Sequence, residues 1–255
     1  MIKDGGQRIA TAGGAMLADP NSLGNLSGVA TPGVTLEDLF DPIFWAARGQ
    51  LVDVTGGRGA AWFIADSERW ALRHYRRGGF VARLLKDRYA WAGEKRVRAF
   101  AEWRLLEELA RRGLPVPKPI AARYERTGFL YRCDLITERI PNARPLSAVL
   151  SLAPLQESTW RDVGAAVARL HAAGVDHADL NAHNILLDGG GAVSVIDFDR
   201  GRLRTPGAWA AGNLSRLRRS LIKISRDFPA GRFSAAVWEW LLAGYASAPV
   251  RGFVK

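Results

Sequence analysis

Two stretches constrain this chain more than any others: His177-Ala178-Asp179-Leu180-Asn181-Ala182-His183-Asn184 and Val195-Ile196-Asp197-Phe198-Asp199. Asp179 stands five positions before Asn184, and Asp197 follows a short apolar strand thirteen positions after that amide. A polar loop and a strand-end carboxylate at this spacing suit phosphoryl transfer. One carboxylate, Asp179, accepts or orients the proton of an attacking hydroxyl, while Asn184 and Asp197 offer hard oxygens to magnesium on the phosphates. Either half alone is an ordinary turn or an ordinary buried strand, so the reading rests on the two together.

The bulk properties leave room for such a site. At 255 residues the chain can form one large domain or two lobes, and 48% hydrophobic residues with nine Trp allow a sizeable core. A single cysteine, Cys133, excludes an internal disulfide framework and suits a reducing compartment. No apolar run is long enough to span a bilayer. The net charge of +11 is unevenly spread: nine Lys/Arg and two acids lie between Arg73 and Arg98, and eight Lys/Arg and no acid between Arg200 and Arg226. Such clusters attract nucleic acid, phospholipid or lipopolysaccharide, or simply face water, and charge alone does not choose.

In chain order, residues 1–35 are rich in Gly, Ala, Ser and Asn without periodicity and are expected to be a flexible N-terminal tail. Leu36 to Ala47 has helical spacing, broken near Pro42. The strand Leu51–Val54 enters a turn containing Gly57 and Gly59, where glycines let backbone N–H groups approach phosphates, although a plain hairpin turn reads as well. The strand Trp70–Tyr75 carries Arg73, with His74 on the opposite face and assigned no catalysis. A helix with Phe100, Trp103, Leu105, Leu106 and Leu109 inward ends near Gly113. The Pro-rich connector Pro115–Pro119 leads to a strand around Ala121, and the strand Phe129–Thr137 precedes Glu138-Arg139-Ile140. A helix from Trp160 to Ala173 delivers the chain into the His177–Asn184 loop, and strands Ile185–Leu187 and Ser194–Ile196 flank the turn Asp188–Gly191. After Asp199 come a basic amphipathic helix, with Leu214, Leu217, Leu221 and Ile224 in one stripe, and a last helix from Phe233 to Tyr245.

The order of strand, glycine turn, cation strand, acid helix, hinge, polar loop and metal strand resembles a protein-kinase-like fold. The loop is similar to H-R-D-L-x-x-x-N, with Ala178 in place of Arg, and the strand end is similar to D-F-G, with Asp199 in place of Gly. More narrowly, the chain resembles the lipopolysaccharide-core kinases, above all those acting on 3-deoxy-D-manno-octulosonic acid (Kdo). Besides the two stretches above and Arg200-Gly201, the residues that carry this are Gly57-Arg58-Gly59, Leu72-Arg73-His74-Tyr75-Arg76-Arg77-Gly78-Gly79, Leu84-Leu85-Lys86-Asp87-Arg88-Tyr89 and Gly113-Leu114-Pro115-Val116-Pro117. The likeness covers roughly residues 37–245.

The resemblance implies an α+β, two-lobed fold, with an N-lobe antiparallel sheet and helix over 36–139 and a mainly helical C-lobe over 140–255. It implies that Gly57 and Gly59 cover the ATP phosphates and that Arg73, standing where such kinases have Lys, contacts them. Glu102 is then the expected partner of Arg73, with Glu94, Glu107 and Glu108 as competitors. Main-chain groups at Glu138 and Ile140 would meet adenine, Asn184 and Asp197 would hold Mg2+, and Asp179 would act on the acceptor. The implied reaction is ATP-dependent phosphorylation of the Kdo 4-hydroxyl on Kdo-lipid A. Its implied place is the cytoplasmic face of the inner membrane, by peripheral contact and with no nucleic acid partner.

Some features depart from protein kinases: Asn181 stands where a Lys would follow the catalytic Asp, and no A-P-E or long activation segment follows Asp199. The alternatives are another small-molecule or heptose acceptor and an atypical protein kinase. An aminoglycoside acceptor would favour an acidic site, and a pseudokinase would lack one of the three residues Asp179, Asn184 and Asp197.

Overall fold

Residues with strand propensity dominate the first half of the chain, and they assemble into one antiparallel sheet. The computed structural model describes residues 6–19, 35, 37–55, 61–64, 70–76, 87–229 and 231–248, with the backbone alone for 52–55 and 61–64. The sheet strands are β1 (Gln7–Thr11), β2 (Gly14–Ala18), β3 (Leu51–Thr55), β4 (Ala61–Ile64), β5 (Trp70–His74), β6 (Tyr89–Ala90), β7 (Pro119–Thr127) and β8 (Leu130–Glu138). Their order is β1-β2-β7-β8-β5-β4-β3, with β6 also on β8. Two helices accompany them, α1 (Pro42–Ala47) and α2 (Arg98–Arg111). Asp41 caps α1 by accepting from the Ile43 N–H at 2.8 Å, and Pro42 fills the first helical position, where its missing N–H costs nothing.

The chain divides into two compact units, Met1–Glu108 with Lys118–Arg139, and Leu109–Pro117 with Ile140–Lys255. In the first unit, one sheet face buries Met16, Leu72, Ile120 and Ile136 beneath Leu39, Phe40 and Trp45. Elsewhere in the unit Phe100 of α2 meets Tyr124 edge-on at 5.3 Å, and Trp91 packs on Tyr124 and Tyr131.

The expected flexible tail is not what residues 7–18 form. They make the hairpin β1–β2, β2 pairs with β7, and Ala15, Met16, Leu17 and Ala18 are buried. Gly14 permits the join, because a Cβ there would lie 2.1 Å from the Tyr124 carbonyl oxygen. Arg8 of β1 makes two 2.8 Å hydrogen bonds to Glu94, which also accepts from the Tyr124 hydroxyl at 2.9 Å. Glu94 is thereby committed and is not the partner of Arg73.

The second unit is mainly helical: α3 (Leu146–Leu152), α4 (Glu157–Ala172), α5 (Trp209–Ser225) and α6 (Ala235–Ser247). Short strands complete it: β9 (Arg144–Pro145), β10 (Val175–Asp176), β11 (Ile185–Leu187), β12 (Val193–Val195) and β13 (Arg202–Leu203), paired as β12-β11-β9 and β10-β13. Helices α4 and α6 touch backbone to backbone. A Cβ on Gly164 would lie 2.0 Å from the Leu241 oxygen, and one on Gly244 would lie 2.0 Å from the Arg161 oxygen. Residues 109–117, expected within the N-lobe, group instead with this unit. Gly113 accepts from Arg169 at 2.6 Å and Pro115 from the Val195 N–H at 2.8 Å.

Candidate active site

The polar loop starts where β10 ends and is held from inside by His177, which is only 1% exposed. The His177 Nδ1 accepts from the Asp179 N–H at 3.2 Å, so its proton sits on Nε2, which donates to the Ile196 carbonyl at 3.0 Å. Burial holds this imidazole below its ordinary pKa, in keeping with the neutral form that both bonds require. The Phe198 ring packs on it with centroids 4.8 Å apart. His177 thus ties the loop to the residues on both sides of Asp197.

The Asp179 carbonyl accepts from two side-chain amides, Asn181 Nδ2 at 3.0 Å and Asn184 Nδ2 at 2.9 Å. Asn181 Oδ1 in turn accepts from the N–H groups of His183 and Asn184. These bonds fix the backbone at Asp179 while its carboxylate stays exposed, with no hydrogen bond to a described residue. Asn184 is buried, and its carbonyl accepts from the Ile196 N–H at 2.9 Å, which sets it beside the residue preceding Asp197. Asp197 is half-buried and has φ +64°. For a residue other than glycine this is a strained conformation, costing on the order of 1–3 kcal/mol, of the kind that gathers at functional sites.

One stripe of α5 props this loop from outside. Asn213 Oδ1 accepts from the His177 N–H at 2.9 Å, Arg216 Nη1 donates to the His177 carbonyl at 3.3 Å, and Ser220 Oγ accepts from the Ala182 N–H at 3.2 Å. Asn213, 3% exposed, also donates to Asp176 at 2.9 Å. Burial works to raise the Asp176 carboxyl, but hydrogen bonds from Arg204 and Asn213 outweigh it and hold the group below the usual range. From below, the Ser147 N–H donates to the Ala182 carbonyl at 3.1 Å, and Ser147 Oγ lies 2.8 Å from His183 Nδ1. None of Asn213, Arg216, Ser220 or Ser147 stands out in the sequence as a site residue. The one available signal was Asn213, an amide beside an otherwise apolar helix stripe.

The first unit carries a second constellation. Arg73 Nη1 lies 3.4 Å from Glu102 Oε1, and Glu102 is 3% exposed. Tyr75, two residues after Arg73 and just past the end of β5, continues the extended chain on the same face and donates its hydroxyl to Glu102 Oε2. Its ring lies 4.8 Å from the Arg73 guanidinium carbon. Burial, and next the Glu102 charge, push the Tyr75 phenol well above its ordinary pKa, so it remains a donor. His74, on the other face, is 2.5 Å from Asp134 and 3.3 Å from Asp87, and Arg123 holds Asp134 at 2.8 Å.

Glu138 ends β8 with its N–H committed to the Lys118 carbonyl at 2.8 Å, and the Ile140 carbonyl accepts from Ala143 at 3.4 Å. Gly57 and Gly59 lie outside the described residues.

Comparison with known proteins adds a family to this geometry. Residues 43–245 match the family described as lipopolysaccharide kinase (Kdo/WaaP). The chain is 52% identical over 188 residues to a 3-deoxy-D-manno-octulosonic acid kinase of Xanthomonas campestris pv. campestris (strain B100), covering 73% of this chain and 75% of that protein. It is 48% identical over 217 residues to one of Xanthomonas oryzae pv. oryzae (strain PXO99A), covering 84% and 86%. A third, from Stenotrophomonas maltophilia (strain R551-3), is 50% identical over 189 residues, covering 73% and 75%. With the match spanning most of its length and reaching across both the Arg73–Glu102 pair and the His177–Asp197 loop, the chain belongs to the lipopolysaccharide kinase (Kdo/WaaP) family.

Proposed function

We propose that the protein transfers a phosphoryl group from ATP to Kdo, at the 4-hydroxyl of the Kdo residue on Kdo-lipid A, in the building of the lipopolysaccharide core. The observation that carries this reading is the bond from Asn184 to the Asp179 carbonyl, in a chain half identical to Kdo kinases. It ties the proposed metal amide to an exposed carboxylate with a fixed backbone. Asp179 takes the proton of the acceptor hydroxyl. Arg73, steadied by Glu102 and Tyr75, grips the phosphates that stay behind; a guanidinium does so bidentately, unlike the point charge of Lys. The Glu138 carbonyl and the Ile140 N–H meet adenine, and Gly57 and Gly59 cover the phosphates.

The donor set suits magnesium. Asn184 Oδ1 has no hydrogen bond to a described residue and Asp197 supplies a carboxylate, whereas no group of three or more His, Cys, Asp or Glu among the described residues is arranged to hold a metal ion. Two hard oxygens plus substrate phosphates are what magnesium accepts, and when bound it would offset phosphate charge. The acceptor is a glycolipid, so the reading includes peripheral contact at the cytoplasmic face of the inner membrane. In support, the net charge is +11, and no helix of the described residues is long and apolar enough to cross a membrane.

The test is ATP turnover by the purified protein with Kdo-lipid A, set against heptose, aminoglycoside and peptide acceptors. Phosphate on Kdo, absent with the other acceptors, is the expected result. Turnover on another acceptor but not on Kdo-lipid A would overturn the reading.

A further inference from the structure

Helix α5 has two working faces. The inward one is spaced 213, 216, 217, 220, 221 and combines the buried Leu217 and Leu221 with the three side chains that hold the polar loop. The outward one is spaced 218, 219, 222, 223, and 226 at the cap, on the opposite side of the helix. It presents Arg218, Arg219, Lys223 and Arg226, all exposed, around Ile222, which is 40% exposed. Arg218 lies 5.9 Å from the Trp238 ring centroid, and none of the four cations forms an ion pair with a described residue. Three exposed arginines elsewhere, Arg8, Arg161 and Arg204, each sit within 2.9 Å of a carboxylate, whereas the four cations on this face lie together without one. The stretch from Arg200 to Arg226 holds eight Lys/Arg and no acid, and Asp227 at its end is the first carboxylate after it.

We infer that the outward face of α5 docks the protein on an anionic lipid bilayer, and that the same helix thereby sets the height of the catalytic loop above the lipid. The inference rests on the Kdo-lipid A reading for its purpose, but not for its surface. Unpaired cations at helical spacing match a layer of anionic headgroups. An apolar side chain at the centre of the patch suits a headgroup and acyl boundary, where an amphipathic helix lies with both kinds of contact. It has no counterpart in the phosphodiester rail of a nucleic acid. The geometry adds a consequence for the reaction. An α-helix with its side chains is about 10–12 Å across, so a loop fastened to the inward face rides roughly that far above headgroups touching the outward face. A sugar joined directly to a lipid headgroup reaches that height, whereas a sugar far out along a glycan would overshoot it.

The experiment uses the full chain and the triple variant Arg219→Ala, Lys223→Ala, Arg226→Ala. It leaves Arg218 on Trp238 and touches no residue that holds the loop. Cosedimentation is measured with vesicles of phosphatidylcholine alone and of phosphatidylcholine mixed with phosphatidylglycerol, without ATP or acceptor. Wild type is expected to bind the mixed vesicles only, and less as salt rises. The variant is expected to bind on the order of a hundredfold more weakly, because each cation near an anionic surface contributes about fivefold. Replacing Arg219 and Arg226 by Lys should retain binding. In turnover assays the variant should raise KM for vesicle-embedded Kdo-lipid A and leave kcat/KM for a deacylated, water-soluble Kdo acceptor unchanged.

The inference is overturned if wild type ignores the mixed vesicles, if it binds duplex DNA but no vesicle, or if the variant binds vesicles as wild type does. It is equally overturned if the variant loses turnover on the soluble acceptor to the same extent. Failure of the kinase reading would appear separately, as absent turnover in a protein that still binds vesicles.

Discussion

The side-chain amide of Asn184 and the main-chain carbonyl of Asp179 are joined by a 2.9 Å hydrogen bond. Because the acceptor is a main-chain atom, Asp179→Ala keeps this bond and keeps the loop in place. The variant is expected to retain ATP affinity and lose turnover by on the order of 10²–10⁴-fold, the usual contribution of a general base. Nucleotide titration beside steady-state turnover checks both halves. Undiminished turnover would remove Asp179 from the mechanism.

Asp197 has φ +64° in a region that glycine adopts freely. Asp197→Gly should therefore relieve this backbone strain, of about 1–3 kcal/mol, while abolishing turnover. Asp197→Asn, which keeps the strain, should weaken magnesium-nucleotide binding with little change in stability. Chemical denaturation and nucleotide titration of the two variants separate a metal ligand from an ordinary strand-end residue, for which both would leave binding intact.

Asn213 is the buried centre of the α5 prop. Asn213→Ala leaves the His177 N–H without its acceptor and takes a donor from Asp176, so a loss of roughly 2–3 kcal/mol is expected. Ser220→Ala removes one acceptor and should cost less, about 1 kcal/mol. Below the melting range, both should reduce kcat more than they alter ATP affinity. A larger effect on nucleotide affinity than on kcat would contradict the positioning role.

Buried and paired histidines give the protein opposing pH dependences, with His171 and His177 lowered by burial and His74 raised. Burial pushes the His171 pKa down to about 4 from an ordinary 6.5. The unfolded chain takes up that proton near pH 6.5, so stability falls as pH drops from there through about 4, by up to roughly 3 kcal/mol. His74 is raised, first by its hydrogen bond to Asp134, so its contribution is full below pH 6.5 and is lost as pH rises through the raised value. Denaturation curves across pH should show a shallower acidic decline in His171→Gln, with His177 and the lowered carboxylates keeping the rest, and a smaller alkaline decline in His74→Gln. Unchanged curves would remove these groups as the source.

Much of this was legible because it is local. Periodicity located β5, β8 and α4 near their observed bounds, and the spacing of Asp179, Asn184 and Asp197 marked the loop before any fold was known. Tyr75 was within reach too, since a strand repeats every second residue and so places it beside Arg73. Glu102 was already the expected partner of Arg73, and what geometry added was the reason Glu94 is not, its capture by Arg8 eighty-six residues away. The prop on α5 lies thirty-six to thirty-nine residues from the loop atoms it holds, a distance at which spacing carries no signal. The β1–β2 hairpin was misread because two five-residue strands around Gly13-Gly14 look, by composition, like disordered chain.

That hairpin decides how the protein tolerates trimming. The family match begins at residue 43, yet β2 covers the side of β7 from Ala121 to Glu125. A chain cut back to residue 43 would bare that row of N–H and C=O groups as an open sheet edge, ready to pair with the same edge of another copy. The chain shortened to the part shared with its family is therefore expected to self-associate more than the full chain. Light scattering of the shortened and full chains would register the change.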